Sequence, residues 1–205
     1  MAQKKAKANV MIVNFKVPSE AYQAFTELRQ EPVDDFYAIG QAAIVKNEKG
    51  RFFVKDAFDS GSATMDDTLK GGVIGSLVGI LGGPVGVLLG GSVGTLLGGA
   101  KDTHDAVKGL DLIDCACDCI ADGETAVVLL VDEKYEAALT KKLSAFETTV
   151  TRLAAEEVEA EIKHAEKVAR ELEAAAEEAY YEQKAEEVNQ DLTDMYNRTG
   201  NSFKL

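Results

Sequence analysis

The first readable pattern along the chain is a strict alternation. Asn9 to Val17 (NVMIVNFKV) is rich in β-branched residues, and Ile12, Asn14 and Lys16 oppose Val13, Phe15 and Val17. That period of two predicts a β-strand. The period then lengthens. Pro18-Ser19-Glu20 opens a segment with Ala21, Phe25 and Leu28 on one face, which predicts an amphipathic helix to about Leu28. Phe36 to Lys46 and Arg51 to Phe58 read as two further strands, and the turn signal Asn47-Glu48-Lys49-Gly50 joins them into a β-hairpin.

A second block begins after residue 100. Asp111 to Ala121 reads as a short helix closed by Asp122-Gly123, followed by the continuous apolar run Thr125 to Val131 (TAVVLLV). Such a run fits a strand buried on both faces. Tyr135 to Leu143 is helical in pattern, and Glu147 to Leu153 (ETTVTRL) alternates again. The predicted order is β-α-β-β-α-β-α-β. The fold class expected from it is α+β, a ferredoxin-like sandwich with an extra strand and helices over one face of the sheet. The domain is placed at residues 9–153, after a basic arm at 1–8.

An insertion at 64–100 interrupts that domain. From Gly71 to Gly99 the chain has 29 residues without a charge, 12 of them Gly. Gly71, Gly75, Gly79 and Gly83 recur every four residues, as do Gly86, Gly90, Gly94 and Gly98, with Gly83-Pro84 between the series. On a helix such positions share one face. Ile74, Leu77, Val78 and Leu81 back the first series; Val85, Leu88, Leu89, Val93, Leu96 and Leu97 back the second. Thr64 and Asp67 resemble a capping box at the entry, and Pro84 suits the first turn of a second helix. A flexible linker is the alternative, but linkers are polar and Ser-rich, whereas this segment is filled with Leu, Val and Ile. The spacing therefore predicts a glycine-zipper helical hairpin.

Glycine costs about 1 kcal/mol relative to Ala inside a helix. Eight in register cost on the order of several kcal/mol, which only close backbone packing offsets. Each arm is roughly 13 to 15 uncharged residues, or about 20 to 22 Å. That is short of a bilayer core of about 30 Å. Lys70 and Lys101 flank the two arms. Two expectations stay open: a re-entrant element in a membrane, or a dry core packed from several subunits.

From 154 to 190 the composition is strongly helical. Val158, Ile162, Ala165, Ala169, Leu172, Ala176 and Ala179 follow steps of four and three, a heptad seam for association within or between chains. The tail at 191–205 reads as flexible.

Charge narrows the partners. With 35 acidic and 22 basic residues the net charge is −13, which argues against nucleic acid. The apolar run Val10 to Val13 is too short for a signal h-region, so a cytoplasmic location, or the cytoplasmic face of a membrane, is the default expectation. The chain has two His and three Cys. On a helix Cys115 and Cys119 share a face and Cys117 points away, so three thiolates do not converge on one ion. They read as packing residues and reduced thiols. His104, His164 and the series Asp102, Asp105, Asp111, Asp114, Asp118 and Asp122 read as solvated. Neither G-x-G-x-x-G, G-x-x-x-x-G-K-[ST] nor G-x-S-x-G occurs. No catalytic residue, metal site or cofactor is expected.

The strands VMIVNFKV and TAVVLLVDE, the insertion KGGVIGSLVGILGGPVGVLLGGSVGTLLGGA and the segment ETTVTRLAAEEVEAEI resemble a bacterial and archaeal family, the domain of unknown function 1269. The resemblance covers roughly residues 9 to 165 and implies a predicted membrane protein with a glycine-rich hairpin, without catalytic residues. The C-x-C-x-C run and the long C-terminal helix depart from that pattern. The combined expectation is a non-enzymatic homo-oligomer whose hairpin packs between subunits or enters a membrane. A soluble ligand-binding or sensor module is the alternative.

Overall fold

The β-branched, alternating segments pair into one sheet. In the computed structural model, which describes residues 7–61, 72–89 and 107–200, the strands are β1 (Lys7–Phe15), β2 (Tyr37–Glu48), β3 (Arg51–Asp59), β4 (Thr125–Glu133) and β5 (Thr148–Ala154). Their order is β3-β2-β4-β1-β5, and every neighbouring pair is antiparallel. The helices are α1 (Pro18–Gln30), α2 (Gly72–Gly82), α3 (Pro84–Leu89), α4 (Asp111–Asp118), α5 (Glu136–Leu143) and α6 (Ala155–Gly200). The connection through α1 passes over β4 to reach β2, and the one through α5 passes over β1 to reach β5.

The turn between β2 and β3 has two residues, Lys49 and Gly50, at φ 58° and 74°. Positive φ at both centres is what a two-residue hairpin loop needs, because its twist then matches the strands. Asn47 locks the turn: its Oδ1 accepts from Gly50 N at 2.9 Å and its Nδ2 donates to Ile120 O at 2.7 Å.

One face of the sheet carries Met11, Val13, Phe15, Ile44, Val127 and Leu129 under Phe25 and Leu28 of α1 and Leu139 and Leu143 of α5. Strand alternation sends Val10, Ile12, Ala126, Val128 and Leu130 to the other face, and these are also buried. That second face is roofed by α2, α3, α4 and the start of α6. Asn14 donates to Cys119 O there, and Gln41 accepts from Ile74 N. Helices therefore cover both faces rather than the single face expected. The cause lies in β4: a strand apolar at every position from Ala126 to Val131 leaves both sides to be covered, and the insertion supplies the second cover.

The chain divides into two compact units, one up to Ala169 and one from Arg170. The second unit is the continuation of α6 to Gly200, ten residues past the expected end at Gln190. No Pro interrupts 191–200, and Leu192 and Met195 keep the helical spacing going, so the segment read as a flexible tail is helical as far as Gly200.

Candidate functional site

Helix α2 is where the predicted glycine pattern meets the fold. Ile74, Leu77, Val78 and Leu81, read as the aliphatic backing of the first glycine series for packing between subunits or in a membrane, are buried within the chain itself, together with Val73 and Ile80. Gly75 and Gly79 lie on the opposite, exposed side, and a Cβ built on either meets no described atom within 4 Å. The entry to the helix is tied down by Gln41 on β2, which accepts from Ile74 N at 3.1 Å and donates to Asp59 Oδ2 at 3.0 Å. Gly72 makes room for it. Its φ is 75°, and a Cβ there would fall 1.8 Å from the Gln41 amide nitrogen.

The chain breaks at Gly83, and Pro84 takes the first position of α3, as the sequence predicts. Gly86 is buried, and a Cβ on it would fall 1.9 Å from Leu81 O. Glycine at 86 thus serves a close backbone approach between α2 and α3. Gly75 and Gly79 do not face that approach, so the two glycine series are not zipped against each other within the described residues. Gly71, Gly90, Gly94 and Gly98, with Lys70 and Lys101, lie outside them, as do His104, Asp102 and Asp105 and the arm's Lys4 and Lys5. Beside α2, an apolar slot of about 290 Å³ opens between the helix and the β2–β3 hairpin, lined by Ala43, Val54, Ala57, Ile74, Gly75 and Val78, so Gly75 borders it. The Gln41–Asp59 pair is its polar wall.

The heptad seam divides along its length. Val158, Ile162 and Ala165 are buried, with Val168 beside them; Ala169 is half-buried, Leu172 buried, and Ala176 and Ala179 exposed. Glu161 accepts from Leu112 N and Ile113 N at 2.9 and 3.0 Å, capping the N-terminus of α4. His164 is exposed, with its Nε2 3.1 Å from Lys108 O. The seam is thus buried or half-buried through Leu172, and only Ala176 and Ala179 are left exposed.

The sequence reading missed the molecule's buried charge. Glu133, at the end of β4, has a fully buried side chain that meets Arg152 Nε at 2.9 Å and Nη2 at 3.0 Å and accepts from Asn9 Nδ2 at 3.0 Å. Arg152 also donates to Glu136 O and Thr140 Oγ1 on α5. Through Arg152 Nε and Nη2 and both Glu133 oxygens, this is a clamp joining β4, β5 and α5. The one signal in the sequence was a Glu closing an apolar run, ordinarily a solvated strand end.

The cysteines fall as helical geometry requires: Cys117 buried, Cys115 and Cys119 half-buried. Burial, with Asp114 and Asp118 nearby, pushes the Cys117 thiol up to about 12, so it is neither nucleophile nor ready ligand. Burial and the neighbouring Cys119 raise Cys115 as well. Among the described residues no three His, Cys, Asp or Glu are grouped to hold a metal, and no helix is long and apolar enough to cross a membrane. No protein-family model, curated protein or solved structure matches the chain.

Proposed function

We propose that this chain is a non-enzymatic, self-assembling protein, a ferredoxin-like α+β scaffold that presents the face of α2 carrying Gly75 and Gly79 for close packing between subunits or for burial in a membrane. The observation that carries this reading is the openness of that face. A glycine in a helix interior costs about 1 kcal/mol relative to Ala. Gly86 offsets that cost through a close approach, and Gly72 stands at the helix entry with φ 75°, but Gly75 and Gly79 have no close approach among the described residues. Small residues on an outward helix face let a second backbone come within contact distance. The resemblance to the domain of unknown function 1269 supports the same reading. A membrane role takes the re-entrant form, since the 11 residues of α2 make a helix of about 16 Å.

The test is light-scattering mass on soluble and detergent-extracted pools of the wild type and of Gly79→Leu. No described atom lies within 4 Å of a Cβ at Gly79, so the variant is expected to keep the described fold while its assembly is lost. An unchanged mass for the variant rejects the proposal. A defined particle in the soluble pool identifies subunit packing, and recovery only with detergent identifies membrane insertion.

The apolar slot beside α2 favours the second reading, a soluble ligand-binding or sensor module. In that version a small oligomer persists without lipid, Gly79→Leu leaves it intact, and Val54→Phe, which fills the slot, abolishes ligand-induced stabilisation.

A further inference from the structure

The apolar line that runs out at Ala179 is succeeded by another. Tyr181, Ala185, Val188 and Leu192 follow at steps of four, three and four, beginning two residues after Ala179. Two residues turn a helix by about 200°, so the new line lies on the other side of α6 from the predicted seam. Tyr181, Val188 and Leu192 are 62%, 53% and 55% exposed. Evenly spaced large apolar side chains on a solvated helix are the pattern of a pairing face.

Charge selects the partner. From residue 170 to 200 there are nine acidic and three basic side chains. One of the basic ones, Lys184, is engaged by Tyr180: its Nζ lies 3.1 Å from the phenol oxygen and 5.3 Å from the ring centre. Glu178 occupies the line itself, one turn before Tyr181. A second copy of this helix gains nothing at the flanks. A parallel pair sets Glu177 against Glu182; an antiparallel pair with Val188 on Leu192 sets Asp191 against Asp191 and Lys184 against Arg198. A helix rich in lysine or arginine instead meets a segment with nine acidic against three basic side chains, with Lys184 and Arg198 the like-charged exceptions along one flank.

We infer that the distal half of α6 is a docking face for a basic amphipathic helix of another protein, held by the Tyr181–Leu192 line and by the net negative charge of the segment around it.

The probe is a labelled 21-residue peptide of three heptads, with Leu at a and d and Lys at e and g, whose own charges keep it from self-pairing. Fluorescence anisotropy with the full chain is expected to show saturable micromolar binding. The affinity should fall about tenfold or more between low and high salt. It should fall similarly in Val188→Gln/Leu192→Gln, substitutions that keep helix propensity and leave every charge in place, with circular dichroism checking the helix. Three results overturn the inference. The first is no binding. The second is binding indifferent to the Gln pair, which is charge adhesion alone. The third is a concentration-dependent doubling of mass, without peptide, that the Gln pair abolishes; that identifies a second copy as the occupant. None of these readouts depends on Gly79, so failure here is separable from failure of the hairpin assembly.

Discussion

Arg152 reaches Glu133 with two nitrogens and α5 at two more points, while Glu133 has no exposed side-chain surface. Such a pair contributes little by existing and costs much when halved, because the remaining charge stays out of water. Arg152→Ala is therefore expected to lower stability by about 3–5 kcal/mol in urea unfolding. A loss under about 1 kcal/mol would place solvent at Glu133 and contradict its burial. A smaller electrostatic effect sits in α4, where burial, then Asp118 and Asp111, raise the Asp114 carboxyl above its usual range. A raised carboxyl in the folded state loses stability as pH climbs from its unfolded value, near 3.8, through the folded one. Asp114→Asn should thus raise Tm at pH 7 and make no difference below about pH 3, where both states are already protonated. The opposite sign at pH 7 would mean that Asp114 acts as a favourable first-turn charge. Cysteine orientation was legible at this scale, because 100° per residue alone separates Cys117 from Cys115 and Cys119. The Glu133 clamp was not: its cation lies 19 residues away on another strand, and no local period marks it.

Element types and their order were readable because most segments keep one period, two in β1 and β5 and near 3.6 in α1 and α5, while β4 announced itself as a continuous apolar run. Ends were less readable. Only Gly200 breaks the pattern of α6, so nothing before it marked a stop. The coverage of the sheet was half legible. The run TAVVLLV announced a doubly buried strand, but the insertion that roofs it read as a device facing outward. In α2 the aliphatics serve the core, while Gly75 and Gly79 are exposed among the described residues. This division sets the sign of a substitution. If Gly75 and Gly79 do nothing, replacing both with Ala gains about 1 kcal/mol each from helix propensity and raises Tm. Under the proposed assembly role, the added methyls hold the partner backbone off, and the particle mass falls whatever happens to the monomer. The β2–β3 turn gives an independent check. Lys49 sits at φ 58°, a region that asparagine accepts more readily. Lys49→Asn is expected to stabilise the protein by about 1 kcal/mol in urea unfolding, and a loss of stability would assign Lys49 a side-chain role.

Over the whole molecule, the division at Ala169 predicts how the chain tolerates shortening. A chain ending at Ala174, just beyond the buried Leu172, keeps every strand and every core side chain of the first unit. Its Tm should stay within about 3 °C of the full chain, the equivalent of about 1 kcal/mol. A larger drop would make the distal helix part of the fold rather than an appendage to it. That shortened chain should also lose the basic peptide while keeping any hairpin-driven mass, which separates the two proposed interfaces in one sample.

The strand order has a consequence for synthesis. Val10 lies opposite Leu130, and Phe15 opposite both Thr125 and Thr148. Ribosomes add about 5–20 residues per second, so β1 leaves first and waits roughly 6 to 24 s for the strand that will flank it. Throughout that interval its apolar residues and its unpaired backbone are available to other nascent chains. Meanwhile the β2–β3 hairpin, closed by a two-residue turn, can form within microseconds of emerging. Delaying that partner strand, by moving it further along the chain, is expected to prolong the exposure of β1 and lower the soluble yield.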